Sequence, residues 1–159
     1  MAKFDTSGLQ DLVNDLRKLG GEDADRAARA MTAAAAQEIA DAWKESAEKH
    51  ELRDTGAMIE SIGYPDGVQN GGGVFMADVY PQGKDASGTR NAEKAFILNY
   101  GSSRLKPTYW VDEAVKAAEE PVQKRLNEIW DSFLQTGQVP DIPVQSKKSK
   151  RPGTRKKRI

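Results

Sequence analysis

The sequence predicts an α+β domain, with long helices packed on a small antiparallel β-sheet and a disordered or extended basic C-terminal arm after it. Three observations carry this. Two stretches, roughly 22–50 and 109–136, place apolar residues at the three-and-four spacing of amphipathic helices. Between them, a hairpin over about 61–80 is indicated by two runs of β-forming residues around Asn70-Gly71-Gly72-Gly73. Charge is also segregated along the chain. Residues 137–159 carry eight basic residues (Lys147, Lys148, Lys150, Arg151, Arg155, Lys156, Lys157 and Arg158) against Asp141 alone, a net of +7. Residues 1–136 carry 16 basic and 23 acidic residues, a net of −7, so the 159-residue chain sums to zero. The expected organisation is one domain over 1–136 and an arm over 137–159, punctuated by Gly137, Pro140, Pro143 and Pro152.

From the N-terminus, Ser7-Gly8-Leu9-Gln10 has the form of a capping box. Leu9, Leu12, Val13, Leu16 and Leu19 follow at helical spacing, and Gly20-Gly21 ends this short helix. A second helix starts at Glu22 or Asp23, where acidic residues suit the positive helix end, and runs to about His50. Its apolar stripe is Ala24, Ala27, Ala28, Met31, Ala35, Ile39, Ala42, Trp43 and Ala47. Alanine favours helix and lets another backbone come close.

Asp54-Thr55-Gly56 breaks that pattern, and Thr55 can cap a single turn carrying Met58 and Ile59. Ser61–Val68 reads as a strand with Ile62 and Tyr64 on one face, and Val74–Tyr80 as its partner. The ten-residue loop 81–90 (PQGKDASGTR) is longer than most connections. Asn91 can cap a segment over Ala92–Tyr100 that Gly101 ends. Its Phe96-Ile97-Leu98 core fits a buried helix turn or a strand, and the Ala92–Ala95 lead-in favours helix. After the loop 102–108 a last helix begins near Tyr109 or Trp110. Val111, Val115, Ala118, Val122, Leu126, Ile129 and Phe133 keep helical phase straight through Pro121. A kink is predicted there, not an end, with Gly137 as the stop.

Composition bounds the function. Leu, Ile, Val and Phe make up only 29 residues, 18% of the chain, and 20 residues are alanine. Such a thin core is often completed by neighbouring subunits. With no Cys and a single histidine, His50, cysteine nucleophiles, iron–sulfur clusters and multi-histidine metal sites are excluded. No apolar run is long enough to span a membrane, and the N-terminus lacks a signal-peptide core. A soluble protein of a reducing compartment, without cofactor, is expected.

Candidate chemistry is sparse. His50, with Ser46 four residues earlier and Glu51 beside it, could form a catalytic cluster. The plainer account is a polar residue at a helix end, where a cation is favoured. The pairs Glu45/Glu48 and Glu119/Glu120 read as solvated helix faces, since acid–base work needs burial to separate two pKa values. Gly71–Gly73 lacks the following Gly-Lys-Ser/Thr of a phosphate cradle. Enzymatic activity is not expected. Trp43, Trp110 and Trp130 suit either core packing or subunit contact. The arm is a solubilising tail, a non-specific contact to phosphate backbone, or a dock for an acidic protein surface. Without interleaved aromatics it gives no sign of base stacking.

The motifs carry a resemblance. Asp54-Thr55-Gly56-Ala57-Met58-Ile59-Glu60-Ser61-Ile62 resembles the T-G-x-[LM]-x-x-S-I signature of a family of siphophage neck and tail-completion proteins, similar in kind to the lambda-type tail-completion protein. Residues 91–103, from Asn91 through Phe96, Tyr100 and Gly101 to Ser102-Ser103, resemble its second signature. Trp110-Val111-Asp112-Glu113-Ala114 sits where the family leads into its final helix, and Tyr80–Asp85 is similar to a prophage subgroup. Asn99 stands where many members carry Glu, and Lys106-Pro107-Thr108-Tyr109-Trp110 replaces the common proline-aromatic entry. The likeness covers about 1–135 and leaves out the arm.

The resemblance implies a non-catalytic virion part of the neck or tail, acting in tail completion or head–tail joining and present in host cytoplasm during assembly. Its structural residues would be Thr55, Gly56, Met58, Ser61, Ile62, Phe96, Tyr100, Gly101, Ser102 and Trp110. Its partners would be copies of itself in a six-fold ring around the DNA channel, and adjacent neck, tail-terminator or tail-tube proteins. Gly83, Lys84, Asp85, Arg90 and Asn91 are the candidate subunit-contact loop. The basic residues from Lys147 to Arg158 are candidate contacts to genomic DNA or to an acidic partner. The alternative is a basic-tailed nucleic-acid-binding regulatory module.

Overall fold

The computed structural model describes residues 20–142. The helix expected over 7–19 and the basic residues Lys147–Arg158 lie outside the described residues. The elements are α1 (Glu22–Lys49), α2 (Ala57–Glu60), β1 (Ile62–Gly63), β2 (Gln69–Gly71), β3 (Val74–Met76), β4 (Tyr80–Pro81), α3 (Asn91–Tyr100) and α4 (Trp110–Thr136). Long helices with small antiparallel sheets make this the expected α+β fold.

Helices α1 and α4 form an antiparallel pair. At one end Ser46 and His50 meet Trp110 and Glu113; at the other, Ala24 and Ala28 lie across a groove from Leu126 and Trp130. The buried face of α1 is Ala27, Ala30, Ala33, Ala34, Ala36, Ala40, Ser46 and Ala47. Of the expected stripe only Ala27 and Ala47 are buried; Met31, Ile39 and Trp43 stay half-buried. The line of closest approach selects side chains by size, so alanine takes the seam and the larger residues flank it. On α4 the seam is Trp110, Ala114, Ala118, Ile129 and Phe133, and Val115 is left 46% exposed. Pro121 lies within α4, which continues to Thr136 and stops where Gly137 enters the left-handed region (φ 66°).

The hairpin over 61–80 exists but is broken into two short ladders, β1–β4 and β2–β3, instead of two continuous strands. Ile62 pairs with Pro81, whereas Gln69 pairs with Met76. The first arm therefore holds two more residues than the second between its ladders. They are taken up by a β-turn, Tyr64-Pro65-Asp66-Gly67, closed by the Gly67 N–H on the Tyr64 carbonyl at 2.9 Å. Proline second and glycine fourth are the favoured residues of such a turn. Tyr64 is fully buried (0%), and the tip is held by the Gly73 N–H on Asn70 Oδ1 at 3.0 Å. Arg29 of α1 pins the hairpin, donating to the Val68 carbonyl at 3.2 Å and standing 5.5 Å from the Phe75 ring centre.

The core gathers Ala40, Ala47, Met58, Ile59, Ile62, Ala95 and Trp110, with Trp43, Leu52, Val79, Leu98 and Val111 packed against it. Trp110 is fully buried and meets Trp43 edge-to-face at 5.6 Å, an arrangement that complements the ring quadrupoles. Residues 91–100 are helix, as the lead-in favoured. Asn91 itself does not cap it. Its side chain is buried and donates to the Gln82 carbonyl at 2.8 Å, tying the helix start to the preceding loop.

Candidate functional site

The family-type residues fall in two places. Met58 and Ile62 are buried in the core, and the Ser61 hydroxyl donates to the Met58 carbonyl at 2.8 Å. Thr55 Oγ1 receives the Ala57 N–H at 3.4 Å, at the start of the single turn α2. This first motif lies across a cleft of about 290 Å³ from Asp85, Asn91, Lys94, Ile97 and Leu98, so folding brings both signatures to one cleft. Phe96 and Tyr100, by contrast, point outward: they are 63% and 56% exposed, with ring centres 4.9 Å apart.

Where α3 meets α4, backbone needs are met reciprocally. The last carbonyls of α3 lack partners within the helix. Leu98 O receives the Thr108 N–H and hydroxyl (3.1 and 2.7 Å), and Asn99 O receives the Tyr109 N–H (3.0 Å). In return Asn99, 1% exposed, caps α4: its Oδ1 accepts the Val111 N–H at 2.8 Å and its Nδ2 donates to Asp112 at 2.9 Å. Tyr109, the residue before α4, has φ 54° and makes no side-chain cap, so the cap comes from another helix. Gly101 makes the tight return possible. At φ 79°, a Cβ there would lie 2.6 Å from the Leu105 carbonyl oxygen and 2.8 Å from Pro107 N.

The loop before α3 is built around Asp85. One carboxylate oxygen receives the Ser87 N–H (2.9 Å), the Ser87 hydroxyl (2.7 Å) and the Thr89 N–H (2.9 Å). The other pairs with Lys94 of α3. Hydrogen bonding to Lys94 first, then to Ser87 and Thr89, holds the Asp85 carboxyl well below the usual carboxylate range, and Asp85 holds Lys94 above the usual lysine range. Of the candidate contact loop, Asp85 and Asn91 are therefore turned inward as its fasteners, while Gly83, Lys84 and Arg90 are exposed. Sequence reading did not find this staple. Its signal was there, since an aspartate followed by Ser and Thr two and four residues on is a side chain that can bond its own turn.

The imagined catalytic cluster is not assembled. Ser46 donates to the Trp110 carbonyl at 2.7 Å, and His50 Nε2 lies 2.8 Å from Glu113 Oε2, so serine and histidine serve separate partners. The His50 contact holds the Glu113 carboxyl below its ordinary range. Glu48 is engaged by Arg53 at 2.9 Å, which likewise lowers its pKa. Glu119 and Glu120 are exposed. Among the described residues no cluster of His, Asp or Glu could hold a metal ion, and no helix is long and apolar enough to cross a membrane.

Residues 10–101, more than half of the chain, match the family model of HK97-gp10-like proteins, described as "Bacteriophage HK97-gp10, putative tail-component". The matched span takes in all of the first signature and ends at Gly101. No curated protein and no solved structure matches the chain.

Proposed function

We propose that this chain, which belongs to the HK97-gp10-like family of bacteriophage tail components, is a non-enzymatic structural subunit that assembles with copies of itself into a ring at the neck or head-proximal end of the tail. Family membership gives the coarser part, a tail component of the virion. The observation supporting self-assembly is a concentration of exposed apolar side chains. Among the described residues, Phe96, Ile97, Tyr100, Leu105 and Tyr109 are five of the eight exposed large hydrophobic residues, and all five fall within 96–109. Aromatic residues left in water on a protein with so lean a core mark a contact surface. Two others, Val74 and Met76, lie on β3, away from this run in sequence. A heterologous ring needs two unlike surfaces on each subunit, and these two serve.

In this reading the exposed side chains of the 83–91 loop reach a neighbour or an adjoining ring. The basic arm contacts DNA in the channel or an acidic surface of a neighbouring tail protein. The test is native mass spectrometry and negative-stain imaging of the full chain. Six-membered rings are expected from the unaltered protein. Monomers with unchanged circular dichroism are expected from the Phe96→Glu/Tyr100→Glu double variant. Deletion of 146–159 should preserve rings and impair DNA retention in particles. An unaltered chain that stays monomeric when concentrated, and is missing from purified virions, would overturn the proposal.

A further inference from the structure

Two apolar features of the chain face water, and they differ in shape. The first is the tip of the hairpin. Val74 and Met76 of β3 are both more than half exposed. Strand alternation puts them on one face and Phe75, which meets Arg29 of α1, on the other. The turn before them, Gly71-Gly72-Gly73, has no side chains to cover its backbone carbonyls. The second is a groove of about 210 Å³ where α1, β4, α3 and α4 converge, walled by Trp43, Tyr80, Phe96, Tyr100 and Val111. An apolar cavity of about 150 Å³ holds a benzene ring, so this groove has room for a valine or methionine side chain. Trp43 in its wall keeps a buried Nε1–H without an acceptor. Asn99, also in the wall, has both of its amide groups engaged on α4.

Charge selects the occupant. No residue lining the groove is charged, so a charge carried into it would lose water and gain no partner. In a chain with 30% charged residues, the stretch 67–77 contains none. Leu105, by contrast, stands between Arg104 and Lys106, and Val115 precedes Lys116; either would bring a cation to the wall. The hairpin does not fill the groove of its own chain, since Val74 and Met76 are exposed and lie outside its lining. Arg29, which pins the hairpin, stands fourteen residues before Trp43 on α1, about 21 Å at 1.5 Å per residue.

We propose that the hairpin tip of one copy, carrying Val74 and Met76, seats in the Trp43–Phe96–Tyr100 groove of the next copy. This rests on the self-assembly reading and assigns its contact: each groove is incomplete until a neighbour supplies β3. Because tip and groove lie apart on the subunit, the contact is head-to-tail, the kind whose repetition closes a ring.

Sedimentation velocity of the full chain tests this with two variants at exposed positions. Val74→Glu/Met76→Glu spoils the hairpin tip. Ala92→Glu sets a carboxylate in the groove wall, at a helix start that tolerates one. Each alone should be monomeric with unchanged circular dichroism. Mixed one to one, they should form dimers and nothing larger, since one intact tip and one intact groove remain. Disulfide trapping checks the contact without added charge, because the chain has no cysteine. A Val74→Cys copy and an Ala92→Cys copy should cross-link when mixed, and neither should cross-link with itself. Variants that assemble like the parent would leave the groove to an adjoining protein and overturn the inference. A mixture that stays monomeric or grows beyond dimers, or no mixed cross-link while the parent associates, would also overturn it and leave self-assembly standing. A parent chain that never associates would overturn both.

Discussion

The side chain of Asn99 on α3 holds the backbone of Val111 on α4, with Oδ1 2.8 Å from the Val111 nitrogen, while its Nδ2 reaches Asp112 at 2.9 Å. One amide thus satisfies an early N–H of the last helix and a neighbouring carboxylate. The division of labour needs a group with both donor and acceptor.

Asn99→Ala should lower stability by about 2 kcal/mol, because a buried cap is lost and the Val111 N–H is left unpaired. Asn99→Glu should cost more, since it sets a carboxylate against Asp112. Asp112→Asn in the same chain should recover more than half of that loss. Urea unfolding of the parent, Asn99→Glu, Asp112→Asn and the double variant, as a double-mutant cycle, measures the coupling.

Gly101→Ala should destabilise by at least about 2 kcal/mol, combining the left-handed backbone penalty with the clash at the Leu105 carbonyl. Thermal unfolding of the isolated protein checks this. A variant as stable as the parent would mean that the 102–107 return is not held as tightly as its contacts indicate.

The Asp85 carboxyl has a pKa below its ordinary 3.8 in the folded chain, caused first by Lys94. The folded state therefore binds this proton less readily than the unfolded state. The resulting stabilisation is fully present above the ordinary value and shrinks as pH falls below about 4, vanishing once the folded group is protonated too. Asp85→Asn should flatten the fall in melting temperature between about pH 4 and pH 2. An unaltered slope would show that the staple does not contribute to acid stability.

Ser46→Ala should cost about 1–2 kcal/mol by removing the hydroxyl that donates to the buried Trp110 carbonyl. It should leave His50 and Glu113 paired. Chemical-shift perturbation confined to 46 and 110–114 would check both parts.

Tyr109 is 53% exposed and sits at φ 54°. Asparagine tolerates that conformation better than tyrosine. Tyr109→Asn should therefore leave the monomer as stable or up to about 1 kcal/mol more so, while weakening self-association. Melting temperature and sedimentation velocity read the two effects separately.

Much of this molecule is legible in the chain itself. Helical phase alone fixed α1 and α4, because burying one stripe of a 3.6-residue repeat leaves few other solutions. Gly101 and Gly137 marked the ends of α3 and α4, since their backbones enter a region that side chains rarely tolerate. What periodicity could not decide was which face of α1 lies against α4. Its alanines are spread around the helix, and only three-dimensional close approach picked Ala30, Ala33 and Ala36 over Met31 and Ile39. The hairpin's break was local chemistry, written in Pro65-Asp66-Gly67, but the strand pattern around it concealed the turn. Asp85 with Lys94, Asn99 with Val111, and Ser46 with Trp110 join residues whose partners are set by packing. A hydrogen bond depends on distances of a few tenths of an ångström, which the order of residues does not contain.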